Sequence, residues 1–239
     1  MPQPPPTDAS RPTAVSLARL PIFPLPDTVL LPGVALPLHI FEPRYRAMME
    51  ACIREDHLMG VATLEPGHEE ESCEPSSSPG AATPDAERPP VHRVACVGLI
   101  VASERREDDT WNLVLYGTER IRIVEELPPD EPFRRVRAEV LPDRLSPEDA
   151  AAADRVRRVA LEIADRVPGA GRVLGGILAQ ARSPAQLANL IAAHVLDPLS
   201  LRLACLETVA VAERLDRIAG ALGAALLHLV GETPPESVH

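Results

Sequence analysis

Residues 20–46, LPIFPLPDTVLLPGVALPLHIFEPRYR, predict more of the fold than any other part of the chain. Two short apolar segments, residues 20–25 and 34–41, have the composition of β-strands and flank a turn rich in proline. Because proline has no backbone N–H to donate, prolines in strands are confined to edges, bulges and turns. This pattern favours an irregular barrel over a flat sheet. Pro43 is placed to begin a helix, which we expect to end near Arg54.

After this stretch, strand-like alternation continues to about residue 141 and then gives way to helical periodicity. We expect the further strands at residues 57–64, 93–103, 111–116, 120–126 and 133–141. Capping-box sequences at Ser146 and Ser183 begin two helices, and Pro168-Gly169 ends the first of them. The predicted class is α+β, with a β-rich irregular barrel subdomain that carries one helix, followed by an all-α subdomain.

The domain boundaries follow from changes in composition. The β-rich subdomain is expected at residues 18–143 and the helical subdomain at 144–231. We expect disordered tails at residues 1–17 and 232–239, the first of which is proline-rich and polar. Residues 65–91 form an acidic insert with too few apolar residues to offset its ordering entropy, so we expect it to be disordered.

The basic residues exclude several enzyme classes. All 24 are arginine, and the 239-residue sequence contains no lysine. A phosphate-binding P-loop needs a lysine, and so do a Ser–Lys protease dyad and a Schiff base, because arginine does not lose its proton. We therefore expect a non-enzymatic protein that needs no cofactor.

Charge and cysteine content bear on partners and compartment. The net charge is −11, and the acidic insert contributes much of it, which argues against general binding to phosphate backbones. The four cysteines form no CxxC pair, as expected for free thiols in the reducing cytoplasm. We find no signal peptide and no run long enough to span a membrane, so we expect a cytoplasmic protein with no membrane partner.

Three blocks together resemble a known family. They are the opening stretch, the glycine-containing strands around Val97-Gly98 and Tyr116-Gly117, and the helical segment at residues 183–218. In this order they are similar to the N-terminal substrate-recognition (LON) domain of ATP-dependent Lon proteases, whose barrel resembles the PUA fold. Lon continues into ATPase and protease domains, whereas here only ten residues follow Leu229, without a Walker sequence.

The resemblance implies a stand-alone domain that recognises exposed or unfolded polypeptide segments and catalyses no reaction. Such a protein would act as an adaptor or quality-control factor, through self-association or with a protease or chaperone partner. The candidate peptide-binding residues are Phe41, Arg44, Tyr45, Met48 and Met49. Aromatic and methionine side chains offer adaptable apolar contacts. The alternative is that they pack the helix against the barrel, since an apolar helix face is usually core.

Two other functions remain open at this point. The PUA-like barrel could bind RNA through one basic patch formed by Arg120, Arg122, Arg135 and Arg137. Interleaved glutamates and an aromatic content of 3% argue against this, because single-stranded RNA is usually held by base stacking. The second alternative is a structural scaffold whose helical part pairs with another protein.

Neither a metal site nor a catalytic histidine is expected. The residues with a metal-ligating chemistry near the insert are His57, His68, Cys73, His92 and Cys96. Their spacing matches no common zinc frame. His39 in the second strand and His194 in a helix are expected to be structural.

Overall fold

The computed structural model describes residues 12–67 and 88–231. The chain divides into two compact units, which we describe separately. The first comprises residues up to Leu30 together with Leu36–Val140, and the second comprises Leu31–Ala35 together with the residues from Leu141 on. A six-stranded sheet and helices make up the fold, so the predicted α+β class is confirmed.

The first unit contains six strands and two helices in the residues that the structure describes. In chain order they are α1 Ala14–Ala18, β1 Leu20–Leu25, β2 Ala35–Ile40, α2 Pro43–Arg54, β3 Leu58–Thr63, β4 Val94–Arg105, β5 Trp111–Glu126 and β6 Arg134–Val140. The predicted strands are confirmed to within two residues at most ends. The exception is β5, which continues through Gly117 where two strands were expected.

Five of these strands close into a barrel. The neighbours run β5, β4, β3, β1 and β6, and β6 pairs again with β5. β1 and β3 are parallel, whereas the other registered pairs are antiparallel. β2 lies outside this ring and extends the sheet beside β5. No strand pairs with the outer edge of β2 in the part of the chain that the structure describes, which is where Pro37 is tolerated.

The barrel interior is filled by the apolar side chains that alternate along the strands. The buried cluster includes Leu20, Ile22, Leu58, Ala62, Ala95, Val97, Ile121, Ile123, Val136 and Ala138. α1 adds Leu17 to this cluster, and Thr13 caps that helix by accepting a hydrogen bond from the backbone N–H of Ser16. Residues 14–17, which we expected in the disordered tail, are therefore helical because a short cap and one buried leucine hold them.

The second unit contains five helices in the described residues. They are α3 Asp149–Arg166, α4 Ala170–Gln180, α5 Pro184–His194, α6 Leu199–Glu207 and α7 Val211–Gly231. Gly169 has a φ of 88°, a conformation that favours glycine, and it separates α3 from α4 as the sequence predicted. Ser183 caps α5 by accepting from the N–H of Gln186, and Gln186 accepts in return from the N–H of Arg182.

The core of the helical unit combines leucine and isoleucine with small alanines. Its fully buried members include Val156, Ala160, Leu187, Ile191, Val211, Leu215 and Ile218. Val159 on α3 is only half-buried, whereas the neighbouring Ala160 lies in the core. Among the described helices, none is both long and apolar enough to cross a membrane.

Of the predicted disordered regions, residues 1–11 of the N-terminal tail, 68–87 of the acidic insert and 232–239 of the C-terminal tail lie outside the described residues. The ends of the insert are described: Leu64 forms an isolated bridge with Val91, and the N–H of Glu65 donates to the carbonyl of Pro90.

Candidate polypeptide-binding surface

α2 begins at Pro43 and presents one face to the barrel. Tyr45, Met48 and Met49 lie on that face and are at most 4% exposed. The ring of Tyr45 packs against Phe23 of β1, with centroids 4.4 Å apart and planes tilted by 60°. These three predicted binding residues therefore pack the helix onto the barrel and offer no surface to a peptide. The alternative interpretation of the apolar helix face holds for them.

Phe41 and Arg44, the other two predicted residues, remain accessible. Phe41 follows β2 and is 62% exposed, and its ring stacks on that of His39 with centroids 6.1 Å apart. The Arg44 guanidinium lies over the Tyr45 ring at 4.6 Å and donates from Nε to a carboxylate oxygen of Glu42 at 2.9 Å. Phe41 is thus an exposed aromatic group, while Arg44 is oriented by its neighbours.

A shallow groove of about 520 Å³ begins at β2 and crosses β5 and β4. Its lining residues are Pro37, Leu38, His39, Ala102, Ser103, Glu104, Asn112, Leu113 and Val114. We call this the three-strand groove. His39 belongs to the groove and also touches Phe41, so the groove and the exposed phenylalanine form one continuous surface.

Sequence reasoning did not find the three-strand groove. The available signal was the two-residue spacing of Pro37 and His39 in β2 and of Phe41 directly after it, since all three are exposed. The β4 and β5 residues lie more than sixty positions away along the chain. The register between β4 and β5 brings the residues of these two strands together, with Ala102 opposite Val114 and Glu104 opposite Asn112.

The C-terminal end of α2 is held to the barrel by a buried arginine. Arg135 of β6 is 7% exposed and donates to the carboxylate of Glu55, with an Nη2–Oε1 distance of 2.7 Å. It also bonds the carboxylate of Glu131 and the backbone carbonyl of Arg19. This network fixes the helix that follows Phe41, because Glu55 is the residue directly after α2.

The network predicts a pH-dependent stability. The hydrogen bond from Arg135 holds the pKa of Glu131 below its ordinary value of 4.5. A carboxyl whose pKa is depressed by folding stabilises the protein above the unfolded pKa, and that contribution is lost as the pH falls through the folded value. We expect Glu131→Gln to lower the melting temperature at neutral pH, and the difference from wild type to shrink below about pH 4. Thermal melts followed by circular dichroism measure this, with the exposed Glu107→Gln as control.

A difference that stays constant down to about pH 3 would contradict this role of Glu131.

The arginines proposed for RNA binding do not form one patch. Arg120 and Arg135 are buried at 2% and 7% exposure, so neither presents its charge to a ligand. Arg137 pairs with Glu125 at 2.7 Å, and Arg122 lies opposite Glu139 in the sheet. The predicted basic patch is therefore wrong. Arg120 and Arg135 alternate with the core residues Ile121 and Val136 but are covered on the outer face, and acidic neighbours offset the other two arginines.

The described residues contain no group of three or more His, Cys, Asp or Glu side chains that could hold a metal ion. Cys52, Cys96 and Cys205 are buried and form no disulfide. Burial raises the pKa of both Cys52 and Cys96 to about 12, so neither carries a reactive thiolate at neutral pH. His68 and Cys73 lie outside the described residues.

A protein-family model matches most of this chain. The model of the ATP-dependent protease La (LON) substrate-binding domain matches residues 19–223. The chain belongs to this family. The resemblance seen in the sequence is confirmed, and the LON substrate-binding domain is the part of the family's architecture that this sequence covers.

The curated relatives that match this LON domain are full proteases. Lon protease 2 of Myxococcus xanthus is 30% identical over 199 residues, which is 82% of this chain and 22% of the relative. The Lon protease of Anaeromyxobacter dehalogenans is 29% identical over 201 residues, or 83% of this chain and 22% of the relative. The chain thus spans about a fifth of the length of these relatives.

Solved structures of LON domains share the fold. The N-terminal domain of the Mycobacterium avium complex Lon protease aligns with a TM-score of 0.61 at 18% identity, covering 90% of this chain and 100% of that one. The Lon N-terminal domain protein from Xanthomonas campestris aligns with a TM-score of 0.56 at 22% identity, covering 84% and 97%. At these identities the match supports the architecture of the LON domain alone.

Proposed function

We propose that this LON domain binds exposed or unfolded segments of other polypeptides and catalyses no reaction on them, as an adaptor or quality-control factor in the cytoplasm. The observation that carries the proposal is the exposed Phe41 beside β2, whose outer edge is unpaired within the described residues. An extended chain can use a free strand edge for backbone hydrogen bonds and an aromatic side chain for apolar contact.

Residue chemistry supports the absence of catalysis. The sequence has no lysine for a P-loop or a Ser–Lys dyad. The groove and Phe41 present apolar groups and a few polar ones, an arrangement suited to contact with a polypeptide. Binding by shape and apolar contact fits a domain that hands its client to a partner.

The size of the surface sets the expected affinity. A peptide strip that buries about 400 Å² of apolar surface gains roughly 10 kcal/mol at about 25 cal/mol per Å². Association costs on the order of 4–15 kcal/mol, so a single copy should bind at micromolar concentrations or more weakly. Self-association, or a protease or chaperone partner, would raise the apparent affinity through multivalency.

Phe41 provides the most direct test of the surface. We expect Phe41→Ser to weaken binding of an unfolded, reduced and alkylated model protein about tenfold, because burying a phenylalanine contributes roughly 1.5–3 kcal/mol and 1.4 kcal/mol corresponds to a factor of ten. The measurement is fluorescence anisotropy with the labelled unfolded chain. Phe41 is exposed, so the substitution should leave the melting temperature unchanged.

The matched control is Leu161→Ser, which removes a similarly exposed apolar side chain from α3 in the helical unit. Equal affinities for wild type and Phe41→Ser, or an equal loss in both variants, would show that Phe41 is not part of the binding surface.

A further inference from the structure

The three-strand groove has an apolar floor and a polar border. Each is formed by one row of residues that face each other across β4 and β5. The register of β4 and β5 places Ala102 opposite Val114, and Pro37 of β2 completes the apolar lining. The next row pairs Glu104 with Asn112. Because side chains two positions apart along a strand share a face, both rows point to the same side of the sheet.

The polar row is fixed in place by one hydrogen bond. His39 Nδ1 and Asn112 Oδ1 are 2.8 Å apart, which ties β2 to β5 across the groove. The imidazole ring has a second nitrogen, Nε2, which can form one further hydrogen bond. Since the His39 ring also stacks on Phe41, the polar row connects the groove to the exposed aromatic group.

Glu104 differs from the two arginines that follow it, both of which have acidic partners. Arg105 pairs with Asp109 at 3.1 Å and with Glu50 at 3.7 Å, and the Arg106 Nε lies 4.0 Å from Asp108. Glu104 makes no ion pair among the described residues and lines the groove with an exposed side chain. A carboxylate beside an apolar floor favours a ligand that carries a positive charge next to apolar groups.

We infer that the three-strand groove selects extended polypeptide segments in which apolar residues are flanked by a lysine or arginine, with Glu104 binding the basic group. This rests on the proposed function and assigns it a class of client. The apolar side chains of the client lie over Ala102, Val114 and Pro37, while its basic side chain reaches the Glu104 carboxylate. Neutral and acidic segments bind more weakly.

The test compares three labelled peptides with one apolar sequence that ends in Lys, Gln or Glu, measured by fluorescence anisotropy. Wild type is expected to bind the Lys peptide most tightly. Glu104→Gln should weaken the Lys peptide about threefold, within the range for exposed ion pairs, and leave the Gln peptide unchanged. Glu104→Arg should reverse the order of the Lys and Glu peptides. Ala102→Gln, at an exposed position on the floor, adds a polar group without a charge and should weaken all three about tenfold.

Glu162→Gln is the matched control, since it removes one exposed carboxylate from the helical unit. The chain has a net charge of −11, so a general attraction for basic peptides would persist equally in Glu104→Gln and Glu162→Gln. That result would overturn the assignment of Glu104. Unchanged affinities in Ala102→Gln would overturn the groove itself.

Different results would contradict the groove inference and the proposed function. If wild type binds the unfolded model protein and Phe41→Ser weakens it, but the Glu104 and Ala102 variants behave as wild type, the groove inference is wrong and the proposed function stands. If wild type binds neither the peptides nor the unfolded protein, the proposed function is wrong and the groove inference falls with it.

Discussion

Replacing Asp143 by alanine is expected to lower the free energy of unfolding by about 3 kcal/mol, because it leaves a buried charge without its partner. The Arg214 side chain is completely buried in the helical unit. Its two terminal nitrogens donate to the two carboxylate oxygens of Asp143 at 3.0 and 3.2 Å, and one of them also donates to the carbonyl of Thr208. Chemical denaturation followed by circular dichroism measures the loss.

Two variants separate charge burial from general damage. Arg214→Met removes the buried charge and keeps an apolar side chain, so it should cost less than Asp143→Ala. Asp165→Ala removes an exposed carboxylate from α3 and should leave stability unchanged. Equal stability of Asp143→Ala and Asp165→Ala would show that the ion pair is not important for the fold.

Replacing Gly98 by alanine is expected to destabilise the barrel by about 2 kcal/mol through overpacking. A Cβ at this position would lie 2.6 Å from Cγ of Leu115, and both methyl carbons of that leucine are within 3.1 Å. Leu115 has no exposed surface and little room to move away. Gly98 lies opposite Gly117 in the register, next to an irregularity between Val97 and Gly98.

A double-mutant cycle tests the cause. Leu115→Ala alone should cost about 2–5 kcal/mol as a core truncation, and Gly98→Ala should cost much less in that background because the space is free. Gly176→Ala is the control glycine, since a Cβ there meets nothing and helix propensity should stabilise the protein by up to about 1 kcal/mol. Additive losses in the double variant would contradict the steric explanation.

Much of the architecture could be predicted because its signals are local. The alternation of apolar residues predicted the strands, and the start of α2 at Pro43 followed from the preference of proline for the first helical position. The capping sequences at Ser183 and the break at Gly169 also depend on a few neighbouring residues. The paired glycines expected from the family resemblance, Gly98 and Gly117, lie opposite each other, and the Leu115 side chain packed against Gly98 gives the physical reason for the first of them.

The candidate site was harder to predict because it depends on which face of each element is covered. Helical periodicity places Tyr45 and Met48 on one face but does not say whether that face meets solvent or the barrel. Strand alternation likewise placed Arg120 and Arg135 on the outer face, away from the apolar residues of the core, yet both are buried. Arg135 is accommodated by the carboxylates of Glu55 and Glu131, and Glu55 is eighty positions away in sequence.

The three-strand groove could not be recognised because no sequence motif contains it. β2 contributes His39, and the paired strands β4 and β5 contribute Glu104 and Asn112 from much later in the chain. The Arg214–Asp143 pair was missed for the same reason, since 71 positions separate its members. Long-range contacts of this kind depend on strand register and helix packing.

We propose that this LON domain distinguishes unfolded from folded polypeptide. Isothermal titration calorimetry of the purified protein with one model protein, first native and then reduced and alkylated, tests it most directly. We expect measurable binding of the unfolded form at about micromolar or weaker affinity and no heat with the native form. Equal heats for both forms, or none with the unfolded form at high micromolar concentration, would contradict it.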